Sequence, residues 1–237
     1  MPVLLNEVIV YLKLKPRDKI IDATFSSGGH AEKILEKIRP DGKLLGIELD
    51  TELFNKAKEK FSKTEEVVLV NSNYQNLKKI AKDYNFIGAD GILLDLGLSS
   101  WHFEESKRGF SFQKDELLDM RFWQGDELAA KEIINQWPPE EIEKILKEYG
   151  EEKFARQISK AIIETRKKKS IISTFQLVEV IKNAVPFWYR SGRRTHFATK
   201  TFQALRIEVN NELENLKSFL KQLPEVLKKG GRGVVIS

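Results

Sequence analysis

Apolar runs alternate with amphipathic segments over the first hundred residues. The runs at 19–25, 43–48, 66–70 and 91–95 are mostly continuously apolar. Continuous apolar runs are typical of parallel strands that are covered on both faces. The segments between them carry apolar residues at helical spacing, which predicts helices. The alternation therefore predicts an α/β fold with a doubly wound parallel sheet. The predicted helices are 3–14, 30–38, 51–61 with Thr51 as its N-cap, and 76–84.

The pattern changes after Asp95. Residues 99–125 are irregular and rich in aromatic side chains, and residues 126–184 have helical spacing with breaks near Pro138 and Ser170. We interpret this region as a helical insertion. The predicted domains are a core at 1–103 and 201–237 and an insertion at 104–200.

The last part of the chain predicts one long helix and one strand. The helix covers 201–228 and is expected to kink at Pro224, because proline cannot donate the helical hydrogen bond. The run at 230–237 predicts a fifth strand, and the expected strand order is 3-2-1-4-5. Strand five is then an open edge. We expect the insertion or a second copy of the chain, in a homodimer, to cover it.

Composition excludes several classes of protein. Cysteine is absent, so the chain has no disulfide, no thiolate metal site and no cysteine nucleophile. No apolar run approaches eighteen residues, and no secretory leader is recognisable, so we expect a cytoplasmic protein without membrane contact. The three histidines at 30, 102 and 196 lack metal-ligand spacing, and no metal site is predicted.

Positive charge is concentrated in one window. The chain has a net charge of +5, but residues 151–206 contain thirteen Lys or Arg against four Glu, a net +9. Such a window is either a solvated helical face or a surface that contacts phosphates.

Polar residues follow each of the first four predicted strands. Gly28, Gly29 and His30 follow the first strand, Glu48 ends the second, Tyr74 follows the third and Asp95 ends the fourth. Paired glycines allow a ligand to approach the backbone, and a carboxylate after strand two can bind ribose hydroxyls. Each feature alone also fits an ordinary turn, cap or packing residue. Together they indicate a ligand site at the carboxyl ends of the strands, although the G-x-G-x-x-G fingerprint of dinucleotide-binding oxidoreductases is missing.

The chain resembles the MraW/RsmH family, the 16S ribosomal RNA cytosine-N4 methyltransferases. The resemblance covers essentially the whole sequence. Its motifs are Gly28-Gly-His30, Asp90-Gly-Ile-Leu-Leu-Asp-Leu-Gly97 with Ser99-Ser100, Arg108-Gly-Phe-Ser-Phe112, Leu118-Asp-Met-Arg121, Tyr149-Gly-Glu-Glu152 with Phe154-Ala-Arg156, and Thr201-Phe-Gln-Ala-Leu-Arg-Ile207 with Val209-Asn210.

The resemblance implies a class I, Rossmann-like fold and S-adenosylmethionine as the cofactor. Gly28, Gly29 and His30 would hold the methionine part of the cofactor. Glu48 or else Asp50 would bind its ribose, and Tyr74 would contact its adenine. The remaining implied site residues are Asp95 for both cofactor binding and catalysis, Ser99 for catalysis, and His102, which stands where many members have Gln.

The implied substrate is a cytosine of 16S rRNA, free or in the small ribosomal subunit. Aromatic side chains can hold an unstacked base, and basic ones can bind phosphate. The aromatic candidates have an alternative role in the core that joins insertion to sheet. The RNA-binding candidates are Arg108, Phe110, Phe112, Arg156, Arg166, Arg194, His196 and Lys200.

The sequence departs from the family in several places, one of which is Ser26-Ser27, where the family commonly has Gly-Arg or a similar pair. The family's Asp-Met-Arg-Met-Asp becomes Asp119-Met-Arg-Phe-Trp123, and its His-Pro-Ala-Thr-Arg becomes His196-Phe-Ala-Thr-Lys200. Relatives also continue beyond the last strand, so a seven-stranded sheet is expected to be shortened to five strands. An RNA-binding or ribosome-assembly protein with weakened catalysis is therefore the alternative to an active methyltransferase.

Overall fold

The computed structural model describes residues 2–191 and 195–237, and they form two compact units. The first unit is Met1–Gly97 with Leu213–Ser237, and the second is Leu98–Glu212. The units therefore divide at residues 97 and 212, whereas the sequence placed the domain boundaries at residues 103 and 200.

The first unit contains a five-stranded sheet in which every pairing is parallel. The strands are β1 Lys19–Asp22, β2 Lys43–Glu48, β3 Val67–Asn71, β4 Ala89–Asp95 and β5 Leu227–Ile236. Their order across the sheet is β3-β2-β1-β4-β5. The predicted α/β class and the predicted strand order are both confirmed.

Twelve α-helices are found in the described residues, together with a 3₁₀ turn at Tyr74–Asn76. They are α1 Leu5–Leu12, α2 Gly29–Ile38, α3 Thr51–Lys60, α4 Leu77–Asp83, α5 Ser100–Glu104, α6 Ala130–Gln136, α7 Pro139–Glu148, α8 Ala155–Arg166, α9 Thr174–Ala184, α10 Phe187–Arg190, α11 Thr199–Val209 and α12 Glu212–Val226.

The sheet has a separate apolar core on each face. Ile20 of β1 packs in one core with Val8 of α1 and Ile34 of α2. Its neighbour Ile21 packs in the other core with residues of α4 and with Phe219 of α12. Successive strand residues point to opposite faces, so two covered faces require the continuous apolar runs seen in the sequence.

The N-cap of α3 is Asp50, and the prediction of Thr51 was wrong. The Asp50 side chain accepts hydrogen bonds from the backbone N–H groups of Glu52, at 2.9 Å, and Leu53, at 3.3 Å. Aspartate is a strong N-cap because its carboxylate satisfies amides that have no partner inside the helix.

The predicted single helix over 201–228 was also wrong. The segment forms α11 and α12, which are separated at Asn210 and Asn211. Asn211 has a φ of 49°, in the left-handed region that commonly ends a helix. Pro224 does lie inside α12.

Strand β5 forms one edge of the sheet, as the sequence predicted. Each of its residues is half-buried or exposed, and Val235 is among the exposed apolar side chains. Coverage of this edge by the insertion, or its pairing in a dimer, stays a prediction.

The second unit is helical and has its own core. Side chains from α6, α7, α8, α9 and α11 form one cluster, which also includes Phe110, Leu118 and Met120 from the irregular segment before α6. The predicted helical character of this region is confirmed.

Candidate functional site

The carboxyl ends of β1, β2 and β4 carry three acidic side chains, Asp22, Glu48 and Asp95, and we call this group the carboxylate rim. Asp22 and Glu48 are buried, whereas Asp95 is half-buried. The charges of Asp95 and Glu48 each interact with that of Asp22. The fold therefore brings together two of the predicted site residues, Glu48 and Asp95, with a third that sequence reasoning missed.

The missed residue is Asp22, which is only 1 % exposed. Its Oδ1 accepts a hydrogen bond from the backbone N–H of Thr24 at 3.2 Å. Burial raises the pKa of Asp22 to about 7, and the nearby charge of Asp95 adds to the increase. The available sequence signal was an acidic residue that ends an apolar strand just before a glycine-rich turn.

Glu48 joins the loop after β1 to the end of β2. Its Oε2 accepts from the N–H of Ser26 and its Oε1 from the N–H of Asp50, both at 2.7 Å. Burial nevertheless raises the pKa of Glu48 to about 7, with a further contribution from the charges of Asp50 and Asp22. Since each oxygen has a second lone pair, Glu48 can still accept hydrogen bonds from a ligand. Asp50 is occupied as the cap of α3.

Asp95 is the most accessible member of the carboxylate rim. Its backbone N–H donates to Thr24 Oγ1 at 2.7 Å, which fixes the end of β4 to the loop after β1. Burial raises the pKa of its carboxyl, and the charge of His30 opposes this effect.

The glycine pair is fixed by conformation and by packing. Gly28 has a φ of +76°, and an added Cβ would lie 2.3 Å from the ring of Phe61. Gly29 begins α2, and an added Cβ would lie 2.9 Å from the side chain of Pro2. His30 Nε2 lies 3.0 Å from the carbonyl oxygen of Val3. A side chain at either glycine would clash with these neighbouring side chains unless they shifted.

Tyr74 lies in the 3₁₀ turn after β3. Its ring is half-buried and packs edge-to-face against Phe219, with centroids 5.7 Å apart. Contact between Tyr74 and an adenine stays a prediction.

The carboxylate rim fits a ligand with hydroxyl groups and positive charge. Carboxylates only accept hydrogen bonds when ionised, and Asp22 and Glu48 pay a desolvation cost that a bound cation would offset. The hydroxyls, ammonium and sulfonium of S-adenosylmethionine match this set of acceptors. Glu48 would accept hydrogen bonds from the ribose. Asp95 and the turn at Gly28 would contact the methionine part.

In the second unit, Ser99 and His102 are hydrogen-bonded to each other at the start of α5. The hydroxyl of Ser99 lies 2.9 Å from His102 Nδ1, and the Ser99 N–H lies 3.2 Å from the same atom. The ring of His102 packs edge-on against Trp101, Phe110 and Phe122. Both residues thus have a structural role, and their predicted catalytic and cofactor roles stay predictions.

Two RNA-binding candidates are largely buried. Arg108 is 4 % exposed and donates through Nη1 to the carbonyls of Arg121, at 2.8 Å, and Phe122, at 3.0 Å. Phe110 is equally buried and stacks on Phe122. This burial favours packing over RNA contact. A third RNA-binding candidate, Arg166, is half-buried. It donates hydrogen bonds to the carbonyls of Ile134 and Trp137, both at 2.8 Å, around the end of α6.

The other RNA-binding candidates are more accessible. Phe112 is half-buried and stacks on the exposed His196, with centroids 4.5 Å apart and planes at 14°. Arg156 is exposed, and Lys200 donates to the carbonyl of Glu151 at 2.7 Å. Arg194 lies outside the described residues.

Within residues 2–191 and 195–237, no three His, Asp or Glu side chains come together in a way that could hold a metal ion. No helix in the same residues has both the length and the apolar character needed to span a membrane.

Comparison with known proteins places the sequence in a family. Two relatives are named ribosomal RNA small subunit methyltransferase H. The one from Dictyoglomus thermophilum is 45 % identical over all of this chain and 78 % of its own length. The one from Fervidobacterium nodosum is 43 % identical over all of this chain and 80 % of its own length. A crystal structure of an rRNA methylase from Streptococcus thermophilus is 19 % identical, with a TM-score of 0.31 over 39 % of this chain and 50 % of that one. The profile of the MraW methylase family matches residues 1–237. The chain belongs to the MraW methylase family.

Proposed function

We propose that this protein transfers a methyl group from S-adenosylmethionine to the N4 amine of a cytosine in the decoding region of 16S rRNA. The observation that carries the proposal is the carboxylate rim beside a glycine turn, in a chain of the MraW methylase family. The names of the relatives support small-subunit rRNA as the partner.

The cofactor would bind at the carboxyl ends of the strands, where ligands bind in open α/β sheets. Gly28 would allow the methionine part to approach the backbone, and Glu48 would accept hydrogen bonds from the ribose hydroxyls. Tyr74 would contact the adenine. When bound, S-adenosylmethionine supplies an electrophilic methyl group on a positively charged sulfur.

The amine of cytosine is a weak nucleophile because its lone pair is delocalised into the ring. The protein must therefore hold the nitrogen in line with the methyl group, and positioning of this kind contributes several kcal/mol to catalysis. Asp95 accepts a hydrogen bond from the amine and orients it. Its raised pKa also suits it to take up the proton that the amine loses.

The proposal is tested with tritiated S-adenosylmethionine and small ribosomal subunits that lack the methyl group. We expect Asp95→Ala to lower kcat at least a hundredfold, since it removes the group that orients the amine. The matched control is Asp83→Ala, which removes an exposed carboxylate at the end of α4. Nuclease digestion and mass spectrometry of the nucleosides identify the methylated position.

The outcomes separate the two candidate functions. Full activity in Asp95→Ala would remove this residue from the mechanism. If the protein binds the subunit but shows neither cofactor binding by calorimetry nor methyl transfer, the ribosome-assembly role is the correct one.

A further inference from the structure

Two adjacent aromatic side chains of α10 are exposed in the second unit. Phe187 is 75 % exposed and Trp188 is 59 % exposed, whereas the next residue, Tyr189, is 4 % exposed. Exposed aromatic surface that is not buried on folding is a common mark of a binding site. We call Phe187 and Trp188 the aromatic step.

The aromatic step is anchored by the contacts of its buried neighbour, Tyr189. The hydroxyl of Tyr189 donates to Glu152 Oε1 at 2.7 Å, and the same oxygen accepts from the N–H of Phe154 at 3.0 Å. The ring of Tyr189 packs on that of Phe154, with centroids 4.7 Å apart. A fixed Tyr189 leaves its neighbours on the surface, so their exposure is a property of the fold.

Two cations accompany the aromatic step. Lys153 Nζ lies 5.2 Å from the centroid of the Trp188 ring, and the guanidinium carbon of Arg190 lies 5.7 Å from that of Phe187. Both cations belong to the window of residues 151–206, which has a net charge of +9. Each exposed ring is therefore paired with a positive charge that can contact a phosphate.

We propose that the aromatic step is a platform on which unpaired bases of single-stranded RNA stack, while Lys153 and Arg190 contact the adjoining phosphates. The inference rests on the proposed function, which makes rRNA the substrate. Every base has a π-face, so stacking on aromatic rings beside cations binds single strands with little dependence on sequence. A membrane surface is disfavoured because α10 has four residues, too few for an amphipathic helix with an apolar face.

The test compares RNA binding by the complete protein and by Phe187→Ala/Trp188→Ala. The probe is a fluorescent twelve-nucleotide single-stranded RNA of mixed sequence, followed by anisotropy at two salt concentrations. We expect the double variant to bind at least tenfold more weakly, with a melting temperature and a cofactor affinity equal to those of the unchanged protein. Lys153→Gln is expected to weaken binding less and to reduce its salt dependence.

The matched control is Phe175→Ala, which removes an exposed aromatic ring from α9 of the same unit. Equal binding by the double variant and the unchanged protein would overturn the inference, and so would an equal loss in Phe175→Ala. Loss of binding to anionic phosphatidylserine vesicles, with RNA binding unchanged, would instead assign the step to a membrane.

Methyl transfer distinguishes this inference from the proposed function. If RNA binding depends on the aromatic step but the unchanged protein transfers no methyl group, the platform stands and the proposed function fails. If transfer occurs and the double variant has an unchanged KM for small subunits and unchanged RNA affinity, the platform fails and the function stands.

Discussion

At the scale of single residues, Thr24 has a central position in the first unit. Its hydroxyl oxygen accepts the backbone N–H of Asp95, and its own N–H donates to Asp22. One side chain thus fixes the end of β4 relative to the loop after β1. The Thr24 hydroxyl thus positions the backbone of Asp95, while the backbone N–H of Thr24 binds the carboxylate of Asp22.

Replacement of Thr24 by valine keeps the shape and removes the hydroxyl. The N–H of Asp95 then loses its partner, which costs about 1–3 kcal/mol. We expect a roughly tenfold lower kcat for methyl transfer with a smaller change in KM for the cofactor. Thr24→Ser should restore kcat, because it retains the acceptor. A kcat for Thr24→Val equal to that of the unchanged protein would contradict a positioning role.

At the scale of elements, the junction between α11 and α12 depends on one buried amide. Asn210 Oδ1 accepts from the N–H of Phe122 at 2.7 Å, and Asn210 Nδ2 donates to the carbonyl of Met120 at 2.8 Å. The asparagine thereby ties the end of α11 to the irregular segment before α6.

Asn210→Ala should leave these two backbone groups without their side-chain partner. We expect a loss of roughly 2–3 kcal/mol in the free energy of unfolding, from the cost of unpaired buried polar groups. Asn211→Gly is the control, since glycine adopts the positive φ of this position readily. Urea unfolding measures the free energy of unfolding of both variants. Surface substitutions typically change this free energy by up to about 0.5 kcal/mol. A change below that value in Asn210→Ala would show that the junction does not depend on the amide.

At the scale of the whole molecule, the rim makes stability depend on pH. Asp22 and Glu48 have a pKa of about 7 in the fold, whereas free carboxyl groups have a pKa of about 4. The folded protein thus holds these protons more tightly than the unfolded chain. The associated stability is complete below about pH 4 and is lost as the pH rises through about 7.

We therefore expect the free energy of unfolding of the cofactor-free protein to fall between pH 5 and pH 8. The fall should amount to at most roughly 3 kcal/mol for each carboxyl. Asp22→Asn should flatten the dependence, while Glu59→Gln, which changes an exposed carboxyl, should leave it as it is. Denaturant unfolding across this range measures the effect, and parallel curves for Asp22→Asn and the unchanged protein would refute it.

Sequence patterns predicted the elements better than their junctions, and they singled out Glu48 and Asp95 of the carboxylate rim but not Asp22. The apolar runs sufficed for all five strands because burial on two faces leaves a direct mark on composition. The break at Asn210 and Asn211 was missed because the side chain of Asn210 contacts residue 122, far away in the chain, and local spacing does not reveal such a contact. Asp22 and the aromatic step were missed for a related reason. Burial in the fold decides whether the pKa of a carboxyl is raised and whether an aromatic ring is exposed to solvent. Neither property is visible in the local sequence.

The interruption of the sheet by the second unit also sets an order of synthesis. β4 ends at Asp95, and its neighbour β5 begins at Leu227. Ribosomes add roughly 5–20 residues per second, so the nascent chain exposes the outer edge of β4 for on the order of ten seconds before its partner exists. The residues of the helical unit are synthesised during this interval. β4 and β5 can therefore pair only after the second unit has been made.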